Sequence, residues 1–112
     1  MSYRDQYGKE IGRVDQDGTF EHDSSKGKFY SDGTVTNEYG HYQGRIYSDG
    51  TITNQYGQSK GKVYSDGTVA NEYGQTIGKV CDDGTVTNQY GQTIGSASGM
   101  SKEKAAYEFF FK

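Results

Sequence analysis

The chain has 112 residues, a formal net charge of −3 and 30% hydrophobic residues, so it has room for one domain with a small core. Its lysines and arginines are scattered singly, which argues against a nucleic-acid interface. No apolar run approaches the ~20 residues that cross a bilayer, and the start MSYRDQY is not a signal peptide, so we expect a soluble chain without a membrane span and leave its localisation open.

The composition favours strands joined by tight turns. Seventeen Gly and eleven Tyr occur together with no Pro and no Trp. Aromatic residues favour strands and Gly favours turns, so this mixture predicts hairpins. Disordered chains are usually poor in aromatic residues, and this one is not.

A repeat of about 17 residues runs along the chain and predicts a single repeat domain over residues 1–97. Residues 1–14 supply a closing half-unit. Five units follow it, at residues 15–29, 30–46, 47–63, 64–80 and 81–97. The unit at 15–29 is two residues shorter and lacks the Tyr-Gly pair, with residues 22–26 in its place.

Each full unit contains an Asp-Gly turn and a Tyr-Gly turn. A three-residue loop at the Asp-Gly turn pairs Ile46 with Ile52 and keeps both on one face, whereas a two-residue loop mixes the faces. The same logic at the Tyr-Gly turn pairs Val86 with Ile94. Apolar residues therefore recur at fixed positions of the unit and form the predicted core, which consists of Val14, Phe20, Phe29, Val35, Ile46, Ile52, Val63, Val69, Val80, Val86 and Ala97.

Ile77 and Val80 lie three residues apart, so strict alternation sends them to opposite faces of a strand. Gly78 stands between them, and a Gly in a strand is typical of a bulge or bend. Because a unit this small cannot bury its own apolar face, the units must share a core. Closing them into a ring also removes exposed strand edges, and residues 2–6 and 92–97 have the patterns to pair and close it. Asp-Gly turns give a ring of five petals and Tyr-Gly-type turns give six; we take five and leave the second count open.

Residues 98–112 change character and are predicted to form a C-terminal cap. Ser101 is a candidate helix N-cap, and Ala105, Ala106, Phe109 and Phe110 have helical spacing. The segment either covers one end of the ring or serves as an oligomer contact or membrane-surface anchor.

The recurring Asp-Gly-Thr-Val, Tyr-Gly and Ile-Gly-Lys-Val pieces, followed by Ile94-Gly95-Ser96-Ala97 and the Phe-rich ending, resemble the bacterial β-flower proteins, in particular the five-fold group. The resemblance covers essentially the whole chain. It implies an all-β, propeller-like closed ring of about five hairpins around a pseudo-symmetry axis, with a short C-terminal helix or tail. It implies no activity.

Nothing in the sequence indicates catalysis or a cofactor. Asp15-Gln16-Asp17-Gly18 and Asp82-Asp83-Gly84 resemble the start of a calcium loop but lack the downstream carboxylates, and turn formation explains them. His22, His41 and Cys81 have no companions at metal-ligand spacing. The serines lack the strand-to-helix elbow of an activated nucleophile, so we expect no enzyme.

The candidate interaction residues are aromatic: Tyr39, Tyr56, Tyr73 and Tyr90 in the Tyr-Gly turns, and Phe109, Phe110 and Phe111 at the end. If the tyrosines are exposed, they form a periodic rim suited to stacking on sugars or docking a partner. If they are half-buried, they pack between petals, and the thin core favours packing. We expect a structural or interaction module that associates with itself or another protein, with the Phe-rich end as one route. The alternative is binding of a glycan or cell-envelope polymer.

Overall fold

The computed structural model describes residues 2–22 and 25–111, in which twelve short strands form one closed antiparallel barrel. The strands are β1 (Ser2–Asp5), β2 (Glu10–Val14), β3 (Thr19–His22), β4 (Ser25–Phe29), β5 (Thr34–Asn37), β6 (Tyr42–Ile46), β7 (Thr51–Asn54), β8 (Ser59–Val63), β9 (Thr68–Asn71), β10 (Thr76–Val80), β11 (Thr85–Asn88) and β12 (Thr93–Ser98). Each strand pairs with its neighbours in sequence. The barrel is wide and short, 34 × 31 × 20 Å, as expected for strands of four to six residues.

The ring closes between the first and last strands, as predicted. β1 pairs with β12 in antiparallel register, with Tyr3 opposite Ala97. Closure leaves no exposed strand edge among the described strands. Six pairs of consecutive strands, from β1·β2 to β11·β12, are joined at one end of the barrel. The five Asp-Gly turns lie at the other end, where the β1·β12 pair occupies the sixth position around the ring. The predicted count of five hairpin repeats is therefore not confirmed.

The end with the Asp-Gly turns, hereafter the base, is tight. In each of these turns the Asp side chain accepts a hydrogen bond from the Thr two residues later, as in Asp49 to the Thr51 N–H at 2.9 Å. The Gly carbonyl of each turn accepts a hydrogen bond from the last residue of the same unit, as in the Val63 N–H to the Gly50 carbonyl at 2.9 Å. The predicted pairing of Ile46 with Ile52 is confirmed.

The opposite end, hereafter the tips, has an irregular register. Thr87 pairs with Thr93, but Val86 pairs with Gly95, so the predicted pairing of Val86 with Ile94 is wrong. A bulge at the residue before the Gly shifts the register, and five hairpins have such a shift. The bulge lets both residues of an apolar pair face the interior, as their spacing required; Ile77 packs against the core and Val80 is buried.

The short unit at residues 15–29 has no such shift, because β3 and β4 pair in continuous register. It has two residues fewer, so nothing is left over to form a bulge. Residues 23 and 24, between β3 and β4, lie outside the described residues.

The predicted core is buried, with Ile46 only partly so. The C-terminal segment adds to it. Ser101 caps helix α1 (Lys102–Ala106) by accepting a hydrogen bond from the Lys104 N–H, and a wider π-helical turn (Tyr107–Phe111) follows. We call residues 101–111 the plug.

The plug lies inside the barrel and does not merely cover one end. Ala105 and Ala106 are fully buried, and α1 packs mainly against β8 and β10. At the base, the Lys102 ammonium binds the Asp82 carboxylate at 2.6 Å and the Ser65 carbonyl at 3.3 Å. The expected cap is thus an interior element, because a ring of twelve strands is too wide for its own side chains to fill. Lys112 lies outside the described residues.

Candidate binding surface

Five tyrosines project from the tips of the barrel. They stand in the turns of five hairpins and are 75–86% exposed. We call them the tyrosine crown; it consists of Tyr7, Tyr39, Tyr56, Tyr73 and Tyr90. A methyl group added to the glycine that follows each of them would meet no other part of the described chain within 4 Å, whereas a methyl group at Gly50 in the base would collide with Val63, so the tips are open and the base is closed.

The turns that hold the crown are rigid. In the β7–β8 turn, the Asn54 carboxamide oxygen accepts hydrogen bonds from the backbone N–H groups of Tyr56 at 2.9 Å and Gln58 at 3.0 Å. Its NH₂ group donates to the Gln58 side chain at 2.9 Å. Gly57 has φ +79°, a left-handed conformation that closes the turn. The backbone bonds recur in the other crown turns, with Asp5 in the place of Asn in the first.

The expectation that the tyrosines of the Tyr-Gly turns pack between petals is wrong. The rest of the described chain covers little of the side chains of Tyr39, Tyr56, Tyr73 and Tyr90. The tyrosines at the base behave differently. Tyr30, Tyr47 and Tyr64 are 41–45% exposed. Each of these rings lies 5.0–5.3 Å from the charged group of the Lys or Arg two residues before it in the sequence.

The crown also has a member that the sequence analysis did not single out. Tyr7 is followed by Gly8 and preceded by Asp5, the same pattern as in the full units. Its position in a half-unit hid that pattern.

The three terminal phenylalanines lie inside the barrel, half-buried against its strands. Phe109 lies over Gly95, Phe110 over Gly78 and Phe111 over Gly61, one ring for each of three neighbouring hairpins. Six hairpins surround the barrel axis, so neighbouring hairpins are about 60° apart around it. In the wide π-helical turn the angle between successive residues is closer to 60° than is the ~100° of an α-helix. These rings serve the interior packing.

One carboxyl group is buried beside two phenols. Glu108 is 3% exposed and lies next to Tyr3 and Tyr107. Burial, reinforced by the negative charge of Glu108, raises the pKa of Tyr107 to about 12. The same causes, with a hydrogen bond to Glu108, raise the pKa of Tyr3 further. Both phenols therefore stay neutral through the ordinary pH range.

The residues weighed as metal ligands do not come together. Within residues 2–22 and 25–111, no three His, Cys, Asp or Glu side chains are grouped as a metal site would require. The carboxylates of Asp17 and Asp83 accept the backbone N–H of Thr19 and Thr85, which lowers the pKa of each aspartate. The ring of His41 lies 6.2 Å from that of Tyr39. The side chain of His22 lies outside the described residues, and Cys81 is a half-buried free thiol.

A family model described as a 5-fold beta-flower protein matches residues 2–112. The chain belongs to the five-fold β-flower family. The match spans the barrel and the plug of this β-flower protein alike, so the C-terminal segment is part of the family pattern. Searches among curated proteins and among solved structures give no significant match.

The described part of this β-flower protein has no helix long and apolar enough to span a membrane.

Proposed function

We propose that this β-flower protein is a non-catalytic binding module whose tyrosine crown recognises a glycan or another cell-envelope polymer. The observation that carries the proposal is the crown itself, five strongly exposed rings on rigid turns at one end of a closed barrel. Exposed aromatic rings are costly to keep in water without a use, and a contiguous set of them is typical of an interaction surface.

The turns lower the entropic cost of binding. Tyrosine has only two side-chain torsions to fix, and the turn backbone is already held by the Asn or Asp side chain. A flat ring that is presented in this way offers its face to the C–H groups of a sugar.

The spacing of the crown suits a repeating ligand. Adjacent tips are separated by two strand spacings, about 10 Å. That distance is comparable to the length of a disaccharide. A linear polymer can therefore engage neighbouring tyrosines together, and several weak contacts add up to a useful affinity.

The charge around the crown favours a neutral polymer. The residue before each of four crown tyrosines is Glu38, Gln55, Glu72 or Gln89. Amide groups both donate hydrogen bonds to hydroxyl groups and accept them, and carboxylates accept them. The formal net charge of −3 opposes polyanions such as nucleic acid.

A glycan array followed by calorimetry tests the proposal. We expect the double variant Tyr56→Ala/Tyr73→Ala to bind the best neutral polysaccharide roughly 5- to 100-fold more weakly, as the loss of two stacking contacts predicts. The matched control is Tyr47→Ala/Tyr64→Ala, which removes two tyrosines at the base and should leave binding unchanged. Absence of binding above background on the array, or an equal loss in both double variants, would contradict the proposal.

A second candidate is association with another copy or another protein through the same crown, since tyrosine is enriched in protein interfaces. The packing of Phe109, Phe110 and Phe111 inside the barrel directs this candidate to the crown and away from the Phe-rich end. Light scattering across protein concentration separates the candidates. A mass that rises with concentration and returns to that of the monomer in Tyr56→Ala/Tyr73→Ala supports association, and a constant monomer excludes self-association.

A further inference from the structure

A cavity of about 480 Å³ lies beside the turns of the β7–β8 and β9–β10 hairpins. Gln55 and Glu72 border it, and each directly precedes a tyrosine of the crown, Tyr56 or Tyr73. A polymer that contacts both of these tyrosines therefore runs past the mouth of the cavity. The cavity also has the volume of a small-ligand site.

The inner wall of the cavity is apolar and partly aromatic. It includes Ile52, which is 1% exposed, and Tyr107, which is 7% exposed, together with the half-buried rings of Phe110 and Phe111. The plug begins at the base, where Lys102 is held, and its last turn supplies these three aromatic side chains. The plug therefore lies between the cavity and the base, and a ligand can enter and leave only at the tips.

Two residues at the rim depart from the pattern of the repeat. Gln43 and Lys60 directly precede Gly44 and Gly61, which lie in the second strand of their hairpins. At the same position three other hairpins have an isoleucine that packs against the core, namely Ile11, Ile77 and Ile94. A polar side chain at this position gives up apolar burial, and the two that do so in adjacent hairpins border the same cavity.

The rim offers hydrogen-bonding groups that the protein does not use itself. In the described part of the chain, the carboxamides of Gln43 and Gln55 have no hydrogen-bond partner. Those of Asn54 and Asn71 are instead held by the side chains of their own turns. A carboxamide both donates and accepts, so it can bind the hydroxyl groups of a sugar in either sense.

The two charges at the rim cancel. The Lys60 ammonium lies 3.4 Å from the Glu72 carboxylate, and this ion pair joins the two hairpins. A ligand carboxylate would compete with Glu72 for Lys60, and a ligand cation would compete with Lys60 for Glu72. A neutral ligand leaves the ion pair in place and can still hydrogen-bond to both groups, because both side chains are more than a third exposed.

We propose that this cavity binds the terminal sugar residue of a neutral glycan whose following residues contact Tyr56 and Tyr73. The C–H groups of the sugar meet the apolar wall, and its hydroxyl groups meet the rim. Because the plug closes the cavity towards the base, a chain cannot pass through, and only an end of the glycan enters. This inference rests on the proposed function and adds that the glycan is recognised by its end.

Titration of ¹⁵N-labelled protein with methyl glycosides tests the cavity separately, because a single sugar cannot span two tips of the crown. The probes are the methyl glycosides of glucose, galactose, mannose and N-acetylglucosamine. We expect at least one of them to shift the side-chain amide signals of Gln43 and Gln55 saturably, with a dissociation constant on the order of 1 mM. Absence of saturable shifts with all four probes would overturn the proposal.

A double variant locates the sugar. Gln43→Ile/Lys60→Ile restores the isoleucine of the other hairpins and removes the polar groups of the rim. It should keep the Tm of the native chain or raise it, and it should weaken methyl-glycoside binding at least about tenfold. The matched control, Lys26→Ile, makes the same change in the short unit, away from the cavity, and should leave binding unchanged. Equal affinities of the double variant and the native chain would refute the site.

The number of glycan ends separates this inference from the proposed function. The neutral polysaccharide that binds best is shortened by partial hydrolysis, and calorimetry counts the binding sites per gram. Recognition of ends predicts a count that rises in proportion to the number of ends, whereas contact along the chain predicts a constant count. A constant count would refute this inference and leave the proposed function standing. Absence of binding to every neutral polysaccharide would overturn both.

Discussion

The plug offers the most direct test of how the barrel is stabilised, through truncation of its central ring in Phe110→Ala. Removing a fully buried Phe costs about 3–5 kcal/mol. Phe110 is only half-buried, so we expect a loss of roughly 2–3 kcal/mol in the free energy of unfolding. For a domain of this size that loss corresponds to a fall in Tm of roughly 8–15 °C.

Urea unfolding followed by circular dichroism measures this change, and an unchanged m-value would show that the native barrel keeps its compactness. The matched control is Tyr90→Ala, an aromatic truncation on an exposed tip, which should change stability by less than about 0.5 kcal/mol. A cost below about 1 kcal/mol for Phe110→Ala, or equal costs for Phe110→Ala and Tyr90→Ala, would refute the interior packing of the plug.

Three further predictions concern pH and the turns. Burial and the Glu108 charge raise the pKa of Tyr107 to about 12 from its usual value near 10. The neutral Tyr107 phenol therefore stabilises the fold fully below pH 10, and this stabilisation is lost as the pH rises towards 12. The urea midpoint should be lower at about pH 11.5 than at about pH 9, and the difference should be smaller in Tyr107→Phe. The five Asp-Gly aspartates have a lowered pKa in the folded state because each accepts a hydrogen bond from a Thr backbone N–H. Their stabilisation is therefore present above about pH 4 and is lost as the pH falls further. The free energy of unfolding should decline from about pH 5 to about pH 2, and the decline should be less steep in Asp49→Asn. Gly57→Ala at an open tip should lower the free energy of unfolding only by the ~1–2 kcal/mol of a left-handed backbone. Gly50→Ala at the tight base also collides with the neighbouring strand, so it should lower that free energy clearly more in the same urea assay. Equal losses would contradict the difference between base and tips.

The features that the sequence determined are those with a local cause. Turn chemistry is written in a few adjacent residues, so the Asp-Gly turn and its register at Ile46 and Ile52 were predictable. The bulge followed from the spacing of Ile77 and Val80, which no regular strand can satisfy on one face. Ring closure followed from the small size of the unit, which cannot bury its core alone.

Only the tertiary structure decided which side chains lie inside the barrel and which lie on its surface. Both sets of tyrosines recur at the same step along the chain, so periodicity could not tell that those at the tips are exposed and those at the base are half-covered. The register at Val86 depended on how the bulge is absorbed across two strands.

The position of the C-terminal phenylalanines was likewise beyond the sequence pattern. A helical spacing shows that a segment has an apolar side, but only the width of a twelve-strand ring shows that the segment must enter the barrel to cover that side.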